Sequence, residues 1–466
     1  MQYFQIGHET LVQALSEALS RGADYADIYL EHSRTISVGL QDAIVNRASS
    51  NIDSGLGVRA VKGAQTGYAY SEEISPEELK KAARRASEIS ATNIQAQVAT
   101  LQEKKHSYQY YQPGSIDIEA CEVSRLVEFL SQLRNYLLEK EPRFASVTAA
   151  IHHKTSQIAI ANSLGDCIEE QRPMTSVVLS CVIKEGSRYE SAQCSRSYRK
   201  SLDMLNQELL HTLADQCIEQ AQTALKAIQP NGGEMPVVLG AGASGILLHE
   251  AIGHGFEADT VRRQESIYTD KLGKQICMPG IKIVDDGTLP EMRGSIHFDD
   301  EASPSSCTTL VDNGILTSFM HDRISAKHFG VAPTGNGRRE SFRYPPIPRM
   351  RNTYMLGMEG TSEEDLIKSV KRGIFVNSFV NGQVQIGAGD FTFYVRSGYL
   401  IEDGHLTQPI KDINIIGNGM QTLADISGVA NNSFVDPSTW MCGKEGQSCP
   451  VSCGMPSVLV KNLSVG

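Results

Sequence analysis

Two histidines five residues apart, with a glutamate after the first, are the residues best suited to chemistry in this chain. They lie in Gly245-Ile246-Leu247-Leu248-His249-Glu250-Ala251-Ile252-Gly253-His254-Gly255, an apolar stretch of helical character. The pattern is H-E-x-x-x-H. In H-E-x-x-H, the two imidazoles sit four apart on one helical face and hold zinc, while the glutamate acts as general base. Here one residue is added. Five helical steps turn the second ring about 140° from the first, at about 100° per step. A straight helix therefore cannot aim both rings at one ion. A one-residue π bulge would restore a common face, and Gly253 eases such a distortion or ends the helix before His254. The pair Glu250 and His254, four apart, is a second candidate ligand pair, but it leaves no base beside the ion.

A catalytic zinc needs three protein ligands and one open position. The best third candidate is Cys442, in Trp440-Met441-Cys442-Gly443-Lys444, flanked by glycine and polar turn residues. Local sequence leaves open that it is a buried packing thiol. Cys449 and Cys453 form C-x-x-x-C without a second matching pair, so a separate four-ligand zinc site is not expected. The segment Pro333-Thr334-Gly335-Asn336-Gly337-Arg338-Arg339-Glu340-Ser341 lacks the phosphate-loop pattern. Gly335, Asn336, Gly337, Arg338 and Arg339 read either as a loop gripping a peptide backbone or carboxylate or as a surface turn. Asp285-Asp286 and Asp299-Asp300-Glu301 do not match a calcium loop and read as turns or as carboxylate partners of the histidines. His152, His153, His211, His321 and His328 have no partner at ligand spacing and read as structural.

The elements that must position these groups fall into four stretches. Residues 1–92 carry a helix over 9–20, paired strands at Tyr25–Glu31 and Thr35–Leu40, further strands at 55–63 and 66–70, and a helix started by Ser75-Pro76. Residues 93–118 read as a linker or arm. Residues 119–230 read as a central α+β unit, with helices near 119–140 and 202–227 and strands at 145–151, 156–162 and 175–184. Pro230-Asn231-Gly232-Gly233 marks a break. Residues 231–466 read as a β-rich catalytic domain holding the histidine helix, with strands at 236–240, 281–284, 294–298 and 391–395 and a helix at 362–371. The fold class expected is α+β: a mixed helix and antiparallel-sheet N-terminal region followed by a β-rich C-terminal domain.

Composition narrows the function classes. The chain has 466 residues, 41% hydrophobic and 21% charged, with a net charge of −11. That balance is ordinary for a globular protein and speaks against nucleic-acid binding, which favours a basic face. No run of about 20 apolar residues predicts a membrane helix, and the first residues lack a signal-peptide pattern. Ten cysteines in such a chain are expected as mostly buried thiols in a reducing, cytoplasmic setting.

Four motifs in order resemble the TldD/PmbA family, on its TldD, metal-binding side: Leu248–Gly255, Pro333–Ser341, Pro348-Arg349-Met350 with Asn352-Thr353-Tyr354-Met355, and Met441-Cys442-Gly443-Lys444. The likeness covers essentially the whole chain and is densest from about residue 236 onward. It implies a zinc metallopeptidase in which His249, His254 and Cys442 hold Zn2+. The substrates implied are unfolded or modified peptides. The partner implied is a second copy or a metal-less PmbA/TldE-like paralogue. In that reading Glu250 takes a proton from water, and Arg338 or Arg339 supports the developing oxyanion. Extended peptide is expected to add along the glycine-rich edge Gly382–Gly387. Cys449 and Cys453 have no place in the family pattern. The rival readings are a non-catalytic, chaperone-like peptide-binding subunit, a zinc hydrolase of non-peptide amides, and a structural zinc protein.

Overall fold

The computed structural model describes residues 2–90, 96–105, 109–113, 123–242, 244–385 and 388–466. The fold is mixed α+β, as the patterning predicts. Cys121, the start expected for the helix near 119, parts of the 93–118 arm, and Ile386 and Gly387 lie outside the described residues.

Helix α1 (His8–Leu19) precedes a long hairpin of β1 (Tyr25–Gln41) and β2 (Ile44–Lys62). Strand β3 (Gln65–Ser71) follows across a turn at Gly63, whose φ is +58°. Helix α2 (Pro76–Ser87) starts where the Ser75 hydroxyl accepts from the Glu78 amide at 3.3 Å. The short β4 (Gln102–Glu103), α3 (Val123–Lys140), β5 (Phe144–Asn162), β6 (Asp166–Glu185), β7 (Arg188–Tyr198) and α4 (Gln207–Lys226) complete this half. One sheet runs β3-β2-β1-β5-β6, with β4 and β7 both on β6.

Two sequence expectations change here. Tyr25–Glu31 and Thr35–Leu40 are not paired with each other. They are one continuous strand, because Ser33 and Arg34 continue the ladder against β2 and β5. Likewise 145–151 and 156–162 belong to the single strand β5.

Both faces of this sheet are covered, and the period of two shows how. Ala26, Ile28 and Leu30 pack with α1 and α2 residues such as Leu15 and Leu79. Tyr29, Ile158, Ile160 and Ile168 pack instead with Phe298, Ala302 and Phe342 from the C-terminal half. Phe342 lies so close to Gly55 that an added Cβ would meet its ring at 2.2 Å. On that same face Asp27 and Glu301 both pair with the buried Arg59. At the far end of the sheet, Ile36, Val38 and Leu40 pack with residues of α3 and α4.

The C-terminal half contains a closed ring of five strands: Arg372–Val384, β8 (Gly233–Leu239), Val458–Val465, Ile413–Asn418 and Asp390–Glu402, which pairs back to Arg372–Val384. Beside it lies a six-stranded sheet that includes Ile283–Asp286, Asn352–Met355 and Ser452–Met455. Helix α5 (Gly245–Ala251) follows β8 and packs against Ser452–Met455, Asn352–Met355 and the barrel. Gly245 is needed for that approach, since a Cβ there would meet the Gly454 backbone at 2.4 Å. Gly294–Phe298, expected as a strand, is irregular, starting in a turn at Gly294 and ending in an isolated bridge between Phe298 and Pro304. The Gly294 amide donates to the Asn352 side chain, and the Arg351 carbonyl lies where a Cβ would stand. The helix expected at 362–371 is Glu363–Lys368, closed by a capping box between Ser362 and Asp365.

Candidate metal centre

The extra residue in H-E-x-x-x-H is absorbed by ending the helix, not by a π bulge. Helix α5 stops at Ala251, Ile252 leaves helical geometry at φ −127° and ψ −50°, and Gly253–Phe256 forms a 3-10 turn. The Met350 sulfur fills the space a Cβ on Gly253 would need, at 2.2 Å. That contact fixes the turn. His254 is thereby swung back toward His249, with ring centroids 5.2 Å apart and planes at 79°.

Cys442 enters from a hairpin of Met441–Lys444 and Gln447–Pro450, in which it pairs with Cys449. Its Sγ lies 3.5 Å from His254 Nε2. The donor atoms of His249, His254 and Cys442 all lie within 4.8 Å of one another, and all three residues are buried. A nitrogen and a sulfur sharing one tetrahedral zinc would stand about 3.6 Å apart, given bonds of about 2.0–2.1 and 2.3 Å. Neither ring nitrogen of His249 meets a hydrogen-bond partner, although the side chain is buried. An orphaned imidazole in the interior is costly, and an ion between the three donors would satisfy it. The residues present therefore fit a metal ion. Glu250 stands outside this trio, 24% exposed, with Oε2 3.9 Å from His254 Nε2. The alternative pair of Glu250 and His254 as ligands is not the grouping that the fold assembles.

A polar chain behind the trio sets its charge. His254 Nδ1 lies 2.9 Å from Glu257 Oε2, Glu257 lies 3.0 Å from Lys444 Nζ, and Lys444 reaches Asp259 at 2.6 Å. Burial pushes the Glu257 carboxyl up, but Lys444 and His254 outweigh it and hold it at about 2. Burial also opposes the charged form of Cys442. The two imidazoles beside it still pull the thiol well below its usual range, toward the thiolate that a metal needs. Arg349 anchors the hairpin through the carbonyls of Cys442 and Gln447.

Glu257 and Lys444 were not singled out from sequence, although a signal was present. Glu257 is three residues beyond His254, the spacing that brings side chains together on one turn, and Lys444 is two beyond Cys442. The aspartates expected as histidine partners are engaged elsewhere. Asp285 binds Arg351 at 2.8 Å and Asn336 at 2.7 Å, and Asp299 accepts the amides of Glu301, Ser303 and Gly337.

The segment 335–339 braces the site. Gly335 has φ +77°, Gly337 sits against the Glu301 side chain, and the Asn336 amide donates to Asp285 and to the Arg349 carbonyl. Arg338 joins the carbonyls of Met350 (2.6 Å) and Pro450 (2.8 Å). Arg339 donates to the Asp300 carbonyl and lies over the Tyr29 ring at 4.4 Å. These donors are held by protein groups, so none of them is aimed at the trio. Cys449 and Cys453 are buried thiols without a metal grouping among the described residues. Eight of the nine described cysteines are buried, and Cys307 is exposed.

Three sequence models of PmbA/TldA metallopeptidase domains match the chain: domain 1 over residues 26–90, the central domain over 116–225 and the C-terminal domain over 232–466. A metalloprotease TldD homolog of Haemophilus influenzae is 37% identical, covering 98% of this chain and 96% of its own. A zinc metalloprotease TldD homolog of Saccharolobus solfataricus is 36% identical over 52% of this chain and 54% of its own. The crystal structure of TldE from Thermococcus kodakarensis shares the fold, with a TM-score of 0.77, 20% identity and coverage of 98% and 99%. No helix among the described residues is long and apolar enough to cross a membrane.

Proposed function

The chain belongs to the PmbA/TldA metallopeptidase family, and from that premise we propose that it is a zinc-dependent peptidase of the TldD kind. In this reading His249, His254 and Cys442 hold the ion and Glu250 is the general base. The observation that carries it is the meeting of two imidazoles and a thiol beside a half-buried carboxylate. Two nitrogens and a sulfur are a donor set that suits zinc. Three ligands leave the open position of a catalytic site. When bound, the ion supplies Lewis-acid polarisation and a water of lowered pKa. Glu250 is the group that would accept a proton from water and return it to the leaving amine. Glu257, locked by Lys444, holds His254 in the tautomer whose Nε2 is free to bind.

The substrates proposed are unfolded or modified peptides bound in extended form. Supporting this, Gly382–Val384 pairs with Phe391–Phe393 on one side, while the β8 pairing of the same strand is confined to Ile374–Val376. That leaves a strand edge for backbone pairing, which reads little side-chain identity. The assembly proposed is a homodimer or a heterodimer with a metal-less PmbA/TldE-like paralogue, in keeping with the shared fold of TldE.

Chelation tests the central reading. Peptide cleavage should stop with a strong chelator and return with one equivalent of Zn2+. Full cleavage by protein shown to be metal-free would sink it. A second expectation concerns Glu257: its change to Gln should weaken zinc affinity by roughly 10–100-fold, measured by competition with a chromogenic chelator. Unchanged affinity would remove Glu257 from any role in holding His254.

A further inference from the structure

On the opposite face of the Cys442 hairpin lies a cavity of about 360 Å³, between the sheet of the N-terminal half and the C-terminal half. Side chains alternate along a strand. Cys442 turns to the histidines, while its neighbour Met441 and the paired Pro450 line this second space. The cavity falls within the roughly 300–1,000 Å³ of small-molecule sites.

Its charge is lopsided. Arg172, Arg339 and Lys154 on its wall each have a carboxylate within 4 Å: Asp300 at 2.7 Å, Asp27 at 3.4 Å and Glu31 at 3.4 Å. Arg199, Arg293 and Arg338 have none among the described residues, though they are only 5%, 7% and 4% exposed. Arg293 donates to the Trp440 carbonyl, the Ser176 and Ser197 hydroxyls and the Met441 sulfur, and Arg338 to two carbonyls. The Arg199 side chain makes no hydrogen bond or ion pair among the described residues, and its Nε is buried and orphaned. Its guanidinium lies 5.7 Å from the Tyr111 ring, and the Glu170 carboxylate acts on it only from beyond pairing distance. Burial, helped by neighbouring guanidinium charges, draws Arg199 and Arg293 down to about 10. A buried charge without a partner is strongly destabilising, so three around one cavity call for an anion.

We propose that this cavity binds a small molecule or peptide end through a carboxylate or phosphate group, gripped by Arg199 and favoured by the uncompensated charges of Arg293 and Arg338. The planar fork of Arg199 is free to match such an oxyanion, while Arg293 and Arg338, whose donors are held by protein groups, add positive charge around it. Arg293 and Arg338 also hold the Trp440 and Pro450 carbonyls, at the start and end of the hairpin that carries Cys442. An occupant therefore ties the hairpin to the N-terminal sheet. This site does not depend on the metal reading, and its test does not use catalysis.

The test is calorimetric titration of the full chain, metal-free and metal-loaded, at constant ionic strength. Inorganic phosphate forms one arm. A short peptide with a free C-terminal carboxylate, and the same peptide amidated, form the other. We expect saturable one-to-one binding of phosphate or of the free-acid peptide, and no binding of the amidated one; which of the two binds identifies the source. Arg199→Gln should weaken that binding at least tenfold while leaving the melting temperature equal or higher, and Arg199→Lys should weaken it less. If Arg199→Gln does not fold, Arg199→Lys decides: affinity equal to the parent's overturns the proposal. So does binding of neither anion, equal binding of the amidated peptide, or an Arg199→Gln variant that binds like the parent.

Discussion

Glutamine in place of Glu250 leaves the metal bound and lowers peptide turnover by roughly 10²–10⁴-fold, the range ascribed to a positioned acid or base. Several observations set this expectation. Glu250 lies one residue after His249 and within 3.9 Å of His254, yet its carboxylate is outside the trio of candidate donors. It is the partly exposed member of a group whose other members are buried, so of the four it is the one that reaches solvent. Glutamine keeps the shape and the hydrogen-bonding reach but takes up no proton. The loss should fall on kcat, with metal content unchanged on elemental analysis. Full turnover with glutamine would show that another group moves the proton. Loss of metal along with activity would place Glu250 among the ligands.

Serine in place of Cys442 strips the site of metal. The buried sulfur is held 3.5 Å from His254 Nε2, and the two imidazoles favour its thiolate. A serine hydroxyl stays protonated at neutral pH and binds zinc poorly, and a site with two imidazoles alone falls short of the usual three ligands. Affinity should drop by at least about 100-fold, the upper end of the loss typical for a mere supporting partner. The measurement is zinc retained after dialysis against a weak chelator. Circular dichroism should stay unchanged, since the hairpin is held by Arg349 through backbone carbonyls. Retention equal to that of the parent would exclude the sulfur from the ligand set.

The candidate site was legible in unequal parts. The histidine helix and its glutamate stand out because their spacing is local, whereas local sequence leaves Cys442 open as a packing thiol and only the family resemblance points to it as a ligand. The form of the break between the histidines was not legible, because Met350, nearly a hundred positions away in the chain, decides it by filling the space beside Gly253. The role of 335–339 was left open by the sequence for a related reason. A glycine-arginine loop reads alike whether its donors are free or bound, and here carbonyls and carboxylates from distant segments take them. Strand lengths in the N-terminal half were read too short. A strand covered on both faces loses the alternation that marks it, and β1 is buried almost throughout its first half.

By itself the sequence determined the chemistry available: two imidazoles, a carboxylate and a thiol, an apolar helix to carry His249 and Glu250, and an α+β chain with a β-rich C-terminal part. These follow from side-chain type and short-range periodicity, which need no knowledge of the rest of the chain. Only the tertiary structure decided that Cys442 meets His254 across 188 positions, that Lys444 locks Glu257 behind the ring, and that arginines with no carboxylate partner among the described residues surround one cavity. Such meetings depend on which faces pack together. That is settled by burial summed over the whole core, a sum no short stretch of sequence contains.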